Sequence, residues 1–360
     1  MVKLYGQELS KEELLARVGD VSQVAGILQL ELQDGSERGV RALRFRTGGG
    51  LDFTILPDRG MDLYLVEYEG APLNWRSPTG AISPRLFEPD GFGWQRGFYG
   101  GLVVTCGLTN VGQPNVDQGE SLGLHGRASH LAASRLNVEA DWEGDDYILR
   151  ARGVMRQARA IGENLVWTRT VASRLGAAAV SIADRVENRS NNPSPLMLLY
   201  HCNIGFPLLD EGARLVLPAT QVAPNDDNAR QGLDKYDSFT GPQADWRPQV
   251  FHHDLESRQN GAVSVAFVNP SFGNGRGLGL RMSWRKQELP HLWEWKMTGK
   301  SSYVVGIEPA NCSVNGRARD REAGILTILQ PGESQSFHLD FEVLGSQAAI
   351  AAAEKEIRGG

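Results

Sequence analysis

Residues 303–312 read YVVGIEPANC. An aromatic, two valines, a glycine and an isoleucine in succession have the composition of a buried strand. That strand delivers one carboxylate, Glu308, and Pro309 follows at once. Proline has no N–H for a ladder, so the strand is expected to stop there and to leave Glu308 where the chain departs from the sheet. An acid in that position is either an ordinary surface residue or a placed chemical group, and exposed acids are the commoner case. The surrounding chain decides between them.

Outward from this stretch the same pattern recurs. Residues 26–32, 41–46, 51–56 and 63–68 alternate or run apolar between Gly, Asp, Asn and Pro turns, as strands do. Residues 136–142 and 147–152 read as a hairpin, and Val180, Ile182 and Val186 share one strand face. Residues 325–329 and 337–343 read as a last hairpin about Gln330-Pro331-Gly332-Glu333. Helical signals occur only at the ends. Ser10 and Glu13 have capping-box spacing, and the alanine-rich segment 346–357 ends in glycines. Two long stretches without strand pattern, 74–99 and 218–248, interrupt the strands; loops of that size within a compact domain are usually functional. The expectation is an all-β fold, a large antiparallel sandwich over residues 22–345. Residues 1–21 form an N-terminal helical extension and 346–360 a C-terminal helix.

Bulk properties agree. The 360 residues include 42 glycines, 41% hydrophobic and 22% charged residues, enough for a large core and many turns. A net charge of −6 without a basic run argues against nucleic acid or an anionic membrane as partner. The N-terminus has no apolar signal region, and no stretch is long enough to span a bilayer. Three cysteines without a CxxC pair suggest reduced thiols and a cytoplasmic setting.

Among seven histidines, His125 lies in a glycine-flanked turn and His201 ends the apolar run 196–200. His252-His253 sits among polar residues and is expected to face solvent. With Glu308, three chemistries are open. A two-histidine, one-carboxylate metal site uses these residue types, but no H-x-H or H-x-x-x-H cluster supports it. A nucleophilic triad lacks a G-x-S-x-G, and Cys202 adjoins His201 only in sequence. Acid–base work by a glutamate and a histidine on neighbouring strands suits proton transfer at oxygen. Residues 292–297, LWEWKM, put Trp293, Trp295 and Met297 on one face and Glu294 and Lys296 on the other.

Taken in order, these motifs resemble the aldose 1-epimerase (galactose mutarotase) family. The likeness is carried by Tyr99-Gly100-Gly101, Leu124-His125-Gly126, Val186-Glu187-Asn188-Arg189-Ser190 before the run into His201, Gly306-Ile307-Glu308-Pro309, and Leu329-Gln330-Pro331-Gly332-Glu333. Asp58-Arg59-Gly60-Met61-Asp62 and Trp295-Lys296-Met297 resemble a less characterised branch of it. The resemblance implies a β-supersandwich and a small-molecule sugar as partner, with no metal or organic cofactor. It implies Glu308 as the base at the anomeric hydroxyl, His201 as the acid at the ring oxygen, and His125 as a sugar contact. Two departures bear on recognition. Residues 103–110, VVTCGLTN, lack the family's usual arginine, for which Arg127 or Arg59 is the candidate replacement. His201 is followed by Cys202-Asn203-Ile204 instead of Pro-Tyr-Phe. Asn203, Trp295 and Lys296 complete the expected binding set, and Asp226, Asp227 and Asp237 are candidates for the family's binding aspartate. An isomerase acting at another carbon and a non-catalytic sugar-binding protein are the competing functions; the sequence leaves the sugar and the oligomeric state open.

Overall fold

Where the sequence alternates, the chain pairs. In the computed structural model, which describes residues 1–359, strands Gly26–Glu31, Arg41–Arg46, Leu51–Leu56, Asp62–Tyr68 and Ala71–Pro72 form a five-stranded sheet in chain order. An eight-stranded sheet runs Ser134–Glu143, Asp146–Ala158, Asn164–Arg174, Ala179–Asn188, Ser334–Leu344, Leu278–Arg285, Ala262–Asn269 and Arg214–Val216. A seven-stranded sheet sets Ala219–Pro224, Gln249–Leu255, His291–Gly299, Ser302–Ala310, Ser194–Ile204 and Thr327–Leu329 side by side, and Val104–Leu108 also pairs with Ser194–Ile204. All these pairings are antiparallel. The fold is the all-β supersandwich, with the helices Lys11–Leu15 and Gln347–Arg358 near its ends.

Three local expectations change. Pro309 does not end its strand, which continues to Ala310 with Pro309 opposite Leu292. The segments about Pro331-Gly332 are not a hairpin, because Thr327–Leu329 pairs with Ser194–Leu196 while Ser334–Leu344 lies in the eight-stranded sheet. That turn therefore carries the chain from one sheet to another. Ser10 and Glu13 do form the reciprocal capping box, but a small hairpin, Val2–Leu4 with Gln7–Leu9, precedes the helix.

Alternation also determines which side chains face the core. In Ser194–Ile204, Leu196, Leu198, Tyr200, Cys202 and Ile204 enter the main core with Phe45, Phe53, Trp167 and Phe337. Met197 and Leu199 point the other way, into a cluster with Trp94, Phe98 and Trp293. His201 shares that second face by its period of two. Cys202 is thereby turned from His201 into the core, and Cys106, Cys202 and Cys312 are all buried free thiols.

Beneath this sheet lies a fully buried charge cluster. Arg169 pairs with Asp62 at 2.6 Å and Asp184 at 2.7 Å, and the Tyr200 hydroxyl donates to Asp184 at 2.6 Å. Breaking such a buried set by removing one partner typically costs about 3–5 kcal/mol.

Candidate active site

The antiparallel register fixes the central pair. Leu199 faces Ala310, and Cys202 faces Ile307, so His201 stands opposite Glu308. The regular ladder is interrupted between those pairs, at the position of Pro309, whose nitrogen has no hydrogen to give. His201 Nε2 and Glu308 Oε1 are 3.1 Å apart. The approach lies off the line of a hydrogen bond, so the buried Glu308 Oε1 lacks a partner within the protein; at the other edge of the ring, His201 Nδ1 is also buried without one. Buried polar atoms without partners typically cost about 1–3 kcal/mol each, and native proteins keep few of them. Gly306, two residues before Glu308 on the same face, leaves room for the carboxyl. A Cβ there would collide with Glu308 Oε1 and come within 3.1 Å of His201 Cε1.

His125 approaches from the Leu124-His125-Gly126 turn. Its φ of 55° is left-handed, and its backbone N–H bonds Gly112 O at 3.0 Å while its carbonyl accepts from Gly107 N at 2.9 Å. These bonds hold the ring 5.8 Å, centroid to centroid, from His201. Trp94 packs on His125 at 4.6 Å, and Phe98 and Trp295 flank His201 at 5.1 and 5.4 Å. Together they enclose a cavity of about 620 Å³ into which His125, His201 and Glu308 all face. Both long stretches contribute to it: Trp75, Trp94 and Phe98 come from 74–99, and Asn225, Asp226 and Pro248 from 218–248, which is not wholly a loop because Ala219–Pro224 pairs with Gln249–Leu255 as an edge strand.

Burial dominates the electrostatics. It pushes the Glu308 carboxyl up to about 8, with the Glu294 carboxylate adding to the rise. It pushes His201 down to about 3, helped by repulsion from His125, and His125 itself down to about 4. Desolvation thus favours a neutral carboxyl beside a neutral imidazole, whereas their 3.1 Å separation favours the charged pair. In both forms the pair holds one transferable proton across neutral pH.

Of the other sequence-derived candidates, Trp295 lines the cavity. Arg59 does not: it is fully buried and donates to Ser129 O, Ile82 O and Gly97 O at 2.7–2.8 Å. Its role is to brace the loop bearing Trp94 and Phe98. Arg127 is exposed, lies 5.8 Å over Phe87, and borders a separate small pocket with Glu120 and Glu163. Asn203 is buried and gives its amide to Gly101 O and His201 O at 3.0 and 2.9 Å, tying strand to loop behind the cavity. Lys296 points to the opposite sheet face and donates to Lys235 O and Ser238 O at 2.6 and 2.7 Å, anchoring the 218–248 loop. Of the three aspartates only Asp226 reaches the cavity, where it also caps a short helix through Ala229 N.

His252 and His253 are not a solvent-facing pair. His253 is fully buried against Glu294 at 3.0 Å, and His252 is half-buried, with its Nε2 3.1 Å from His291 Nδ1. Strand alternation accounts for this, since Gln249–Leu255 is a strand within the sheet. The cavity residues that sequence reasoning missed are mainly Trp75, Trp94 and Phe98. Their only signal was aromatic density in a long loop beside Tyr99-Gly100-Gly101. Among the described residues no group of three His, Cys, Asp or Glu side chains is arranged to hold a metal ion, and no helix is long and apolar enough to cross a membrane.

Comparison with known proteins places this arrangement in context. A family model described as a domain of unknown function, DUF4432, matches residues 37–343. A "putative aldose 1-epimerase" from Klebsiella pneumoniae superposes with a TM-score of 0.86 at 30% identity, over 92% of this chain and 86% of that one. A galactose mutarotase-like protein from Clostridium acetobutylicum gives 0.61 at 14% identity over 89% and 99%. A "putative aldose 1-epimerase" from Escherichia coli K12 gives 0.54 at 14% identity, also over 89% and 99%. At those lower identities the likeness is one of fold. No curated protein matches the chain.

Proposed function

Since the chain belongs to the DUF4432 family, an uncharacterised branch within the galactose mutarotase-like fold, we propose that it is an aldose 1-epimerase-like isomerase that interconverts the anomers of a sugar. One observation carries the reading: an unpaired carboxyl oxygen and an imidazole face each other at 3.1 Å inside a cavity walled by aromatic rings. Ring opening needs a group that takes the anomeric hydroxyl proton and another that protonates the ring oxygen, and a pair holding one proton supplies both.

In the resting cavity burial favours the proton on Glu308. A sugar hydroxyl donating to that carboxyl, and a ring oxygen accepting from His201, stabilise the charged alternative. Once the bound sugar draws the two groups into line, transfer between them leaves Glu308 as base at the anomeric hydroxyl while His201 protonates the ring oxygen. Rotation about C1–C2 and reclosure with the proton movements reversed give the other anomer. His125, neutral and fixed by its turn, is placed to hydrogen-bond a neighbouring oxygen. Trp295 supplies an apolar surface for a sugar face. The three buried free thiols suit a reducing, cytoplasmic setting. Anomeric exchange measured by magnetisation transfer on equilibrated sugars, with buffer alone as reference, tests the reading. A sugar panel without exchange above buffer contradicts it.

A further inference from the structure

The distribution of polar groups in the cavity bears on which sugar it accepts. At its inner end His125, His201 and Glu308 are the hydrogen-bonding side chains, set among the buried Trp94, Phe98 and Leu124. The walls above them are Trp75, Trp295, Met297, Val250 and Val314. Further polar side chains are the half-buried Ser302 and, at the exposed mouth, Gln95, Gln113, Asn225 and Asp226. Two of these already have partners: Asn225 bonds Asn315, and Asp226 accepts from Ala229 N. No lysine or arginine lines the cavity; its acidic residues are Glu308, which burial keeps protonated at rest, and Asp226 at the mouth. The nearest cation in the sequence motif, Lys296, faces the other side of the sheet and is bonded to two carbonyls.

A sugar whose anomeric end meets Glu308 and His201 must lay its ring against the apolar walls. Ring hydroxyls held there lose water and meet few partners in exchange, the indole N–H groups of Trp75 and Trp295 and the Ser302 hydroxyl being the polar groups those residues offer. A phosphate or carboxylate would be worse placed, with no lysine or arginine as counter-charge and Asp226 at the mouth. We propose, resting on the sugar-isomerase reading above, that the cavity is built for an uncharged deoxysugar, one lacking hydroxyls where the ring or C6 meets the aromatic wall. It rejects phosphorylated and carboxylated sugars.

The test compares sugars that differ in one group: galactose with 6-deoxygalactose, mannose with 6-deoxymannose, and galactose with galacturonate, with glucose 6-phosphate as a second anion. Anomeric exchange is measured on the wild-type chain. Affinity is measured separately by tryptophan fluorescence on wild type and Glu308→Gln, since Trp75, Trp94 and Trp295 line the cavity. The expected result is a preference of about 10–100-fold in kcat/KM for a deoxysugar over its hydroxylated parent, the range a hydrophobic pocket achieves against an added hydroxyl. The anions should neither bind nor exchange. Parents exchanged as well as their deoxy forms, or an anion accepted like its neutral parent, overturn the proposal while leaving the isomerase reading intact. Preferential deoxysugar binding without exchange supports the substrate class and removes the isomerase reading. If none of the sugars binds, both fall.

Discussion

His201 and Glu308 stand opposite each other on adjacent antiparallel strands, with Nε2 and Oε1 3.1 Å apart and Oε1 otherwise unpartnered. The rigidity of a sheet, rather than a loop, holds this distance. It depends on two small features of the strand, the missing Pro309 N–H that interrupts the ladder and the missing Gly306 side chain that makes room for the carboxyl.

Gly306→Ala should therefore disable the site without unfolding the chain. The new methyl would meet the Glu308 carboxyl and the His201 ring, and displacing a reacting group by about 1 Å can lower rates about 10²-fold. Anomeric exchange and thermal unfolding measured together check this. Wild-type rates in the alanine variant would mean that the carboxyl position is not critical.

The raised Glu308 pKa gives a stability signature of definite sign. Its folded value, about 8, lies above its ordinary 4.5, so the carboxyl's contribution is fully present below about 4.5 and is lost as pH rises through about 8. Each pKa unit corresponds to about 1.4 kcal/mol, so the loss is of the order of a few kcal/mol. Glu308→Gln should remove it, making the variant progressively more stable than wild type from pH 5 to about pH 9 in thermal scans. An unchanged difference across that range contradicts the burial argument.

Activity should fall as the pair loses its single proton above about pH 8. Glu294 lies on the neighbouring strand, buried against His253, and its charge helps to raise Glu308. Glu294→Gln should shift the alkaline limb of kcat/KM to lower pH while leaving the plateau in place. A limb that does not move would mean that the two carboxyls are not coupled.

The two arginines should behave oppositely. Arg59→Met leaves Ser129 O, Ile82 O and Gly97 O without their donor and should cost about 3–5 kcal/mol of stability. Arg127→Ala, at an exposed position outside the cavity, should change stability within about 0.5 kcal/mol and leave KM unaltered. A large KM effect at Arg127 would place it back in binding.

These contrasts show what the sequence made legible. Alternation and turn residues read out the strands 41–46 and 51–56 to the residue, because a half-buried strand writes its two faces with period two. The convergence of His125, His201 and Glu308 was also readable from motifs in a fixed order, although His201 and Glu308 lie within their strands and not at the strand ends that the sequence suggests. What could not be read was which way an arginine or lysine points. Arg59 and Lys296 look like ligand-binding cations in one dimension, but each satisfies carbonyls of distant loops that sequence spacing does not reveal. The Pro331-Gly332 turn was misread for a related reason: a turn that changes sheets has the same local chemistry as a hairpin turn.

The most direct test is Glu308→Gln assayed for anomeric exchange against buffer alone on a sugar that wild type accepts. The amide keeps the size and one acceptor oxygen but does not take up a proton at neutral pH. The account predicts a fall of about 10²–10⁴-fold or to the spontaneous rate, with sugar-induced tryptophan fluorescence changes retained. His201→Asn should fall comparably, and the double variant by much less than the product. Glu308→Gln turning over at the wild-type rate above the spontaneous background would contradict it, leaving Glu308 a buried strand acid without a part in the chemistry.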